Sequence, residues 1–159
     1  MAVRVAPVKL TYHDYLTWPD DGQRYELYEG ELHVIPTPSV MHQRVLGKLM
    51  FLLAQFVDQS QVGEVLHAPL DVVFAEDTVV QPDILFISRE RRHIIGEQNI
   101  LGAPDLVVEI LSPGTEERAV EVLALSPEGY RVVGRYSGDE AVSSQVLAGL
   151  RFPAKEIFG

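Results

Sequence analysis

The sequence predicts an α/β fold, and three observations carry that expectation. Two nearly continuous apolar runs, Val79-Val80-Gln81-Pro82-Asp83-Ile84-Leu85-Phe86-Ile87 and Asp105-Leu106-Val107-Val108-Glu109-Ile110-Leu111, read as central strands covered on both faces. Val45, Leu49, Leu52, Leu53 and Phe56 recur at helical spacing and predict one long amphipathic helix ending near Val57. Apolar and polar residues alternate from Arg24 to Ile35 around Glu29-Gly30, the pattern of a hairpin.

The elements follow in order. Thr11 caps a short helix through Leu16, and Trp18-Pro19-Asp20-Asp21-Gly22 is a turn. The hairpin offers Leu27, Leu32, Val34 and Ile35 to the core. Thr37 followed by Pro38, or else Ser39, caps the long helix, and Gly63 stops it. Strands are expected at 64–69 and 70–74, then the Asp83 and Glu109 strands with a loop or short helix through Arg92 between them. In the Glu109 strand, Asp105, Val107 and Glu109 share one face, and Leu106, Val108 and Ile110 the other. Residues 118–125 and 130–136, joined across Ser126-Pro127-Glu128-Gly129, form a second hairpin. The tail, with Val142, Val146, Leu150, Phe152, Ile157 and Phe158, reads as edge packing.

Size and composition bound the function. The 159 residues fit a single domain, 1–159, with 47% hydrophobic and 23% charged residues, ordinary for a soluble globular protein. The apolar runs are too short for a membrane span or a secretory signal. There is no cysteine, which excludes thiolate metal sites and fits a reducing cytoplasm. A net charge of −10 argues against a protein that coats DNA. Arg89, Arg91, Arg92 and His93 form the densest basic cluster. It reads either as a solvated loop or as a nucleic-acid contact.

Asp83 and Glu109 are the strongest functional clue. A carboxylate inside a buried strand is costly without a positive partner, and burial alone would neutralise it. Two such acids at one sheet edge suggest a site for a hard divalent cation. Asp71 could add a ligand from a neighbouring strand, and Gln81, two residues before Asp83, shares its face. His42, at the start of the long helix, is equally a core histidine or a phosphate contact. His33, His67 and His93 lack zinc-binding spacing. A cation held by the two acids can polarise a substrate oxygen and lower the pKa of water. Asp83, Glu109 and a backbone carbonyl after Glu109 would hold Mg²⁺. A lysine would orient that water, yet none lies near Glu109, and Lys48 is only a weak substitute.

The segments Tyr25-Glu26-Leu27…Gly30-Glu31-Leu32, His42-Gln43-Arg44-Val45, Ala68-Pro69-Leu70-Asp71-Val72, Val80-Gln81-Pro82-Asp83-Ile84-Leu85-Phe86 and Ala103-Pro104-Asp105 through Ser112-Pro113 stand in order over nearly the whole chain. Together they resemble a bacterial endonuclease family of the PD-(D/E)XK restriction-endonuclease-like superfamily. The resemblance implies an α/β core with a mixed β-sheet flanked by helices, carrying added N-terminal and C-terminal hairpins. It also implies a Mg²⁺- or Mn²⁺-dependent phosphodiesterase site acting on nucleic acid, DNA being expected. Pro82-Asp83 matches the "PD" element and Glu109 the second acid. Leu111 stands where lysine is written in the motif, a residue the family moves to the following helix. Family likeness also draws Glu31, otherwise a solvated hairpin residue, towards the site.

The chain departs from the pattern after Thr115. Against the pattern that the resemblance implies, a lysine- and tyrosine-bearing helix and a strand, roughly 15–30 residues, are missing between 115 and 116, either omitted from the sequence or lost from the protein. The expectation is therefore a metal-dependent endonuclease with Asp83 and Glu109 catalytic and metal-binding, and Asp71, Glu31, Gln81 and His42 accessory. The alternative is a catalytically inactive, nuclease-derived binding or assembly module. A homo-oligomer is compatible with either. A small-molecule hydrolase is disfavoured because no nucleophile–base pair or glycine-rich phosphate loop occurs.

Overall fold

The computed structural model describes residues 7–111 and 118–159. A short helix, α1 (Tyr12–Leu16), leads into the hairpin β1 (Arg24–Tyr28) and β2 (Glu31–Ile35), followed by the long helix α2 (Val40–Ser60). Then come β3 (Gly63–His67), β4 (Asp71–Ala75), β5 (Thr78–Val80) and β6 (Ile84–Ser88). A 3₁₀ turn (Arg89–Ile94) precedes β7 (Asn99–Leu101) and β8 (Leu106–Ile110). The chain closes with the hairpin β9 (Ala119–Ser126) and β10 (Gly129–Ser137), the short strands β11 (Ala141–Ser143) and β12 (Arg151–Pro153), and α3 (Lys155–Phe158).

The local signals mostly act as expected. Thr11 and Asp14 form a reciprocal capping box on α1. Ser39, not Thr37, caps α2, its hydroxyl accepting from the His42 N–H at 3.1 Å. The helix ends at Gln61, in the left-handed region at φ 56°, rather than at Gly63. Gly63 opens β3 instead, where a Cβ would collide with the Ile87 carbonyl oxygen and the Phe86 ring.

Two five-stranded sheets stack on each other. The central sheet runs β10-β9-β8-β6-β3 and is antiparallel throughout. The second runs β2-β1-β5-β4-β7, with β4 and β7 parallel. One face of the central sheet packs Ile84, Phe86, Leu106, Val108 and Ile110 against Val45, Leu49, Leu53 and Val57 of α2. The other face places Leu85 and Ile87 against Val72, Ile94 and Ile100 of the second sheet and its neighbours. The Asp83 and Glu109 runs are thus covered on both sides, which explains their continuous apolar character.

The C-terminal hairpin is present as expected and extends the central sheet, because β9 pairs with β8 along its length. Expectations for the tail and the first hairpin need correction. Tail residues Val142, Leu150, Phe152 and Ile157 are buried in the α2-side core rather than at an edge, whereas Val146 is exposed. Val34 faces solvent, since the first hairpin buries only Leu27 fully. The break expected between Thr115 and Glu116 lies outside the described residues.

Candidate functional site

Register brings the two acids together. Ile84 pairs with Val108, Leu85 with Val107 and Phe86 with Leu106. One further step places Asp83 opposite Glu109, and opposed residues of an antiparallel pair point to the same face. Asp83 stands just before β6, where helix and sheet layers meet. His42 Nε2 lies 3.0 Å from Asp83 Oδ1, with these side chains only 12% and 16% exposed. The Ile110 N–H donates to Asp83 Oδ2 at 2.7 Å. A helix imidazole and a strand amide therefore hold both carboxylate oxygens.

The Glu109 carboxyl is pushed up to about 8 from an ordinary value near 4.5. Burial is the main cause, followed by the charges of Asp83 and Glu26; a side-chain hydrogen bond with Asp83 adds to the rise. Two carboxylates at one site resist ionising together.

A second set of contacts comes from the neighbouring sheet. The Gln81 N–H donates to Glu26 Oε1 at 2.6 Å, tying β1 to the segment leading into Asp83. Gln81 Nε2 donates to Asp71 Oδ1 at 2.8 Å, and the Tyr15 hydroxyl donates to the same oxygen at 2.8 Å. This leaves Gln81 Oε1 buried without a partner. Burial and the bond to Asp71 push the Tyr15 phenol upward, so its proton stays on that bond. Asp71 thus orients Gln81. Glu26 and Tyr15 were missed in the sequence, although strand alternation sets Glu26 on the face opposite buried Leu27.

A cavity of about 560 Å³ opens beside Asp83, lined also by Arg24, Ser39, His42, Gln43 and Ile110. Glu109 does not line it, so Asp83 is the acid at the cavity wall. Other expected residues lie elsewhere. Glu31 is exposed, paired in register with Tyr28. Arg89, Arg91 and Arg92 follow the far end of β6, about 17 Å of strand away from Asp83. There Arg91 pairs with Asp105 at 3.2 Å and Arg92 with Glu64 at 3.3 Å.

The chain has three lysines, at positions 9, 48 and 155. Lys9 packs beside Gly30, and Lys48 lies on the exposed side of α2 with Glu156. Lys155 is 3.7 Å from Asp139. None stands at Asp83.

The donor chemistry fits a hard cation. Asp83 and Glu109 offer adjacent carboxylates, the oxygen donors that such an ion takes. Among the described residues, no three His, Asp or Glu side chains form a ready-made metal cage. No helix is long and apolar enough to cross a membrane among those residues.

The family model "Uma2: Putative restriction endonuclease" matches residues 12–125. No curated protein matches the chain. Among solved structures, the chain resembles "a putative nuclease belonging to DUF820" from Anabaena variabilis ATCC 29413, at 20% identity and a TM-score of 0.71. That likeness covers 94% of this chain and 97% of the other, and the fold is restriction-endonuclease-like.

Proposed function

Because the chain belongs to the Uma2 family of restriction-endonuclease-like proteins, we propose that it is a metal-dependent endonuclease. It hydrolyses phosphodiester bonds of nucleic acid, DNA being the expected substrate, using Mg²⁺ or Mn²⁺. The observation that carries this reading is the cross-strand pair of Asp83 and Glu109, crowded enough that Glu109 holds its proton up to about 8. A divalent cation would displace that proton and let both acids ionise together.

Asp83 and Glu109 would hold the ion. When bound, the ion supplies Lewis-acid polarisation of the phosphoryl group and a more acidic water. The chain's own groups set the geometry. His42 and the Ile110 amide fix the Asp83 carboxylate, while Asp71 and Tyr15 fix the Gln81 amide. Such positioning limits the reorganisation needed as charge develops. The same reading treats residues 1–159 as one domain working in the cytoplasm.

The test is cleavage of supercoiled and linear DNA, and of RNA, with and without Mg²⁺ or Mn²⁺. Asp83→Ala and Glu109→Ala should each abolish cleavage while circular dichroism stays native. Cleavage equal to the parent's would reject the proposal. One observation favours an inactive binding module instead: no lysine stands near the acid pair. That reading expects no divalent-ion binding by calorimetry.

A further inference from the structure

We propose that the phosphodiester backbone of the substrate enters the site along the β1–β2 hairpin, with Arg24 as the residue that contacts phosphate. This rests on the nuclease reading above and names where its substrate lies. The cavity beside Asp83 does not end at the acid. It continues into a second hollow of about 400 Å³, and the two share Arg24, Ile35, Pro36, Thr37 and Pro38 as walls. The result is a groove leading from Asp83 past Arg24 to Gly22 and Gln23.

Charge along this groove suits a polyanion. The Arg24 side chain has no hydrogen-bond or ion-pair partner among the described residues, unlike those of Arg91 and Arg92, which are tied to Asp105 and Glu64. A guanidinium offers several donors in a plane and pairs readily with phosphate oxygens. The first turn of α2 also opens on the cavity through Ser39, His42 and Gln43, and it carries no acidic residue. The positive end of the helix dipole therefore meets the groove. The acids at the outer end, Asp20 and Asp21, accept from the Gly22 amide and from Gln23 and the Tyr25 hydroxyl respectively, and neither lines either hollow.

Position makes Arg24 the cation available to the site. It shares a strand face with Glu26, which reaches Gln81, and lines the same cavity as Asp83. With all lysines placed elsewhere, Arg24 takes the phosphate-holding role at the cavity wall.

Binding of fluorescein-labelled single- and double-stranded oligonucleotides, deoxy and ribo, should be measured by anisotropy in EDTA. Arg24→Ala should weaken binding about tenfold and reduce the slope of log K against log salt by about 0.7–0.9, one phosphate contact. Arg24→Lys should recover part of the affinity, and Arg131→Ala, at an exposed position of β10, should stay within about twofold of the parent. Melting curves of all variants establish that they are folded. Arg24 lies on a half-exposed strand position, and Arg24→Gln provides a second neutral variant.

In cleavage assays, Arg24→Ala should raise KM more than it lowers kcat. Parent protein that cuts, with Arg24→Ala and Arg24→Gln binding equally well, overturns the groove alone. Parent protein that neither binds nor cuts any of these substrates overturns the nuclease reading and the groove together.

Discussion

Glu109 faces Asp83 across neighbouring antiparallel strands, and the Asp83 charge, added to burial, keeps the Glu109 proton in place up to about 8. One end of the paired inner strands β6 and β8 therefore carries two acids but at neutral pH ionises them incompletely. Through that retained proton, the proposed cation site would tie stability both to pH and to divalent ions.

The first consequence is a pH-dependent cost of folding. In the unfolded chain Glu109 ionises near its ordinary 4.5; in the folded protein it does so near 8. Below pH 4.5 both states are protonated and Glu109 is neutral in the balance. Between 4.5 and 8 the unfolded state releases a proton that the folded state retains, so stability falls as pH rises across that window. Glu109→Gln should raise stability at pH 8 by a few kcal/mol, on the order expected for a shift of several pKa units. The gain should disappear at pH 4, which urea denaturation at the two pH values would show.

Divalent ions should reverse that cost. Mg²⁺ or Mn²⁺ at about a hundredfold excess over Kd should stabilise the protein by about 2.7 kcal/mol. Affinity should improve from pH 6 to pH 8, because Glu109 must give up its proton to act as a ligand. Asp83→Asn should remove the thermal shift. A shift retained in full by that variant would place the ion elsewhere.

Asp71 serves the site through others. Its Oδ1 accepts from both Tyr15 and Gln81, so Asp71→Ala leaves two part-buried donors without an acceptor. The expected loss is about 1–3 kcal/mol of stability. Metal affinity should fall less than in Asp83→Asn, which calorimetry on both variants would compare. A thermal shift in Mg²⁺ abolished by Asp71→Ala would make Asp71 a ligand instead.

What was legible in the sequence followed from local pattern. Apolar continuity around Asp83 and Glu109 marked the two central strands, and helical periodicity marked α2 together with Ser39 as one of its caps. The acid pair was visible because a charged residue in such a run demands an explanation. Glu26 was not visible in that way. Its role depends on the second sheet folding over the first, so that its carboxylate meets the Gln81 amide 55 positions along the chain. The place of Arg89, Arg91 and Arg92 relative to Asp83 was not legible either. They cluster in sequence just after β6, but a strand separates its two ends by its full length, and the cluster sits at the end away from Asp83. Sequence proximity to Asp83 counted for less than strand direction.

Two glycines test the packing that sets this geometry. Gly63 pairs with Ser88 at the edge of the central sheet, where a Cβ would strike the Ile87 carbonyl oxygen and the Phe86 ring. Neither neighbour can move freely: Ile87 is fully buried and Phe86 packs beneath α2. Gly63→Ala should destabilise by roughly 1–3 kcal/mol, the usual range for overpacking. Gly47 is the counterpart. It lies within α2 on the exposed side, with nothing near the position of a Cβ. Gly47→Ala should stabilise by about 0.5–1 kcal/mol, because alanine restricts the unfolded chain and favours the helix. Urea midpoints moving in opposite directions for the two substitutions would support the close contact of β3 with β6. An equal, small change in both would mean that the β3 edge stands further from Phe86 than the structure places it, loosening β6, the strand that follows Asp83.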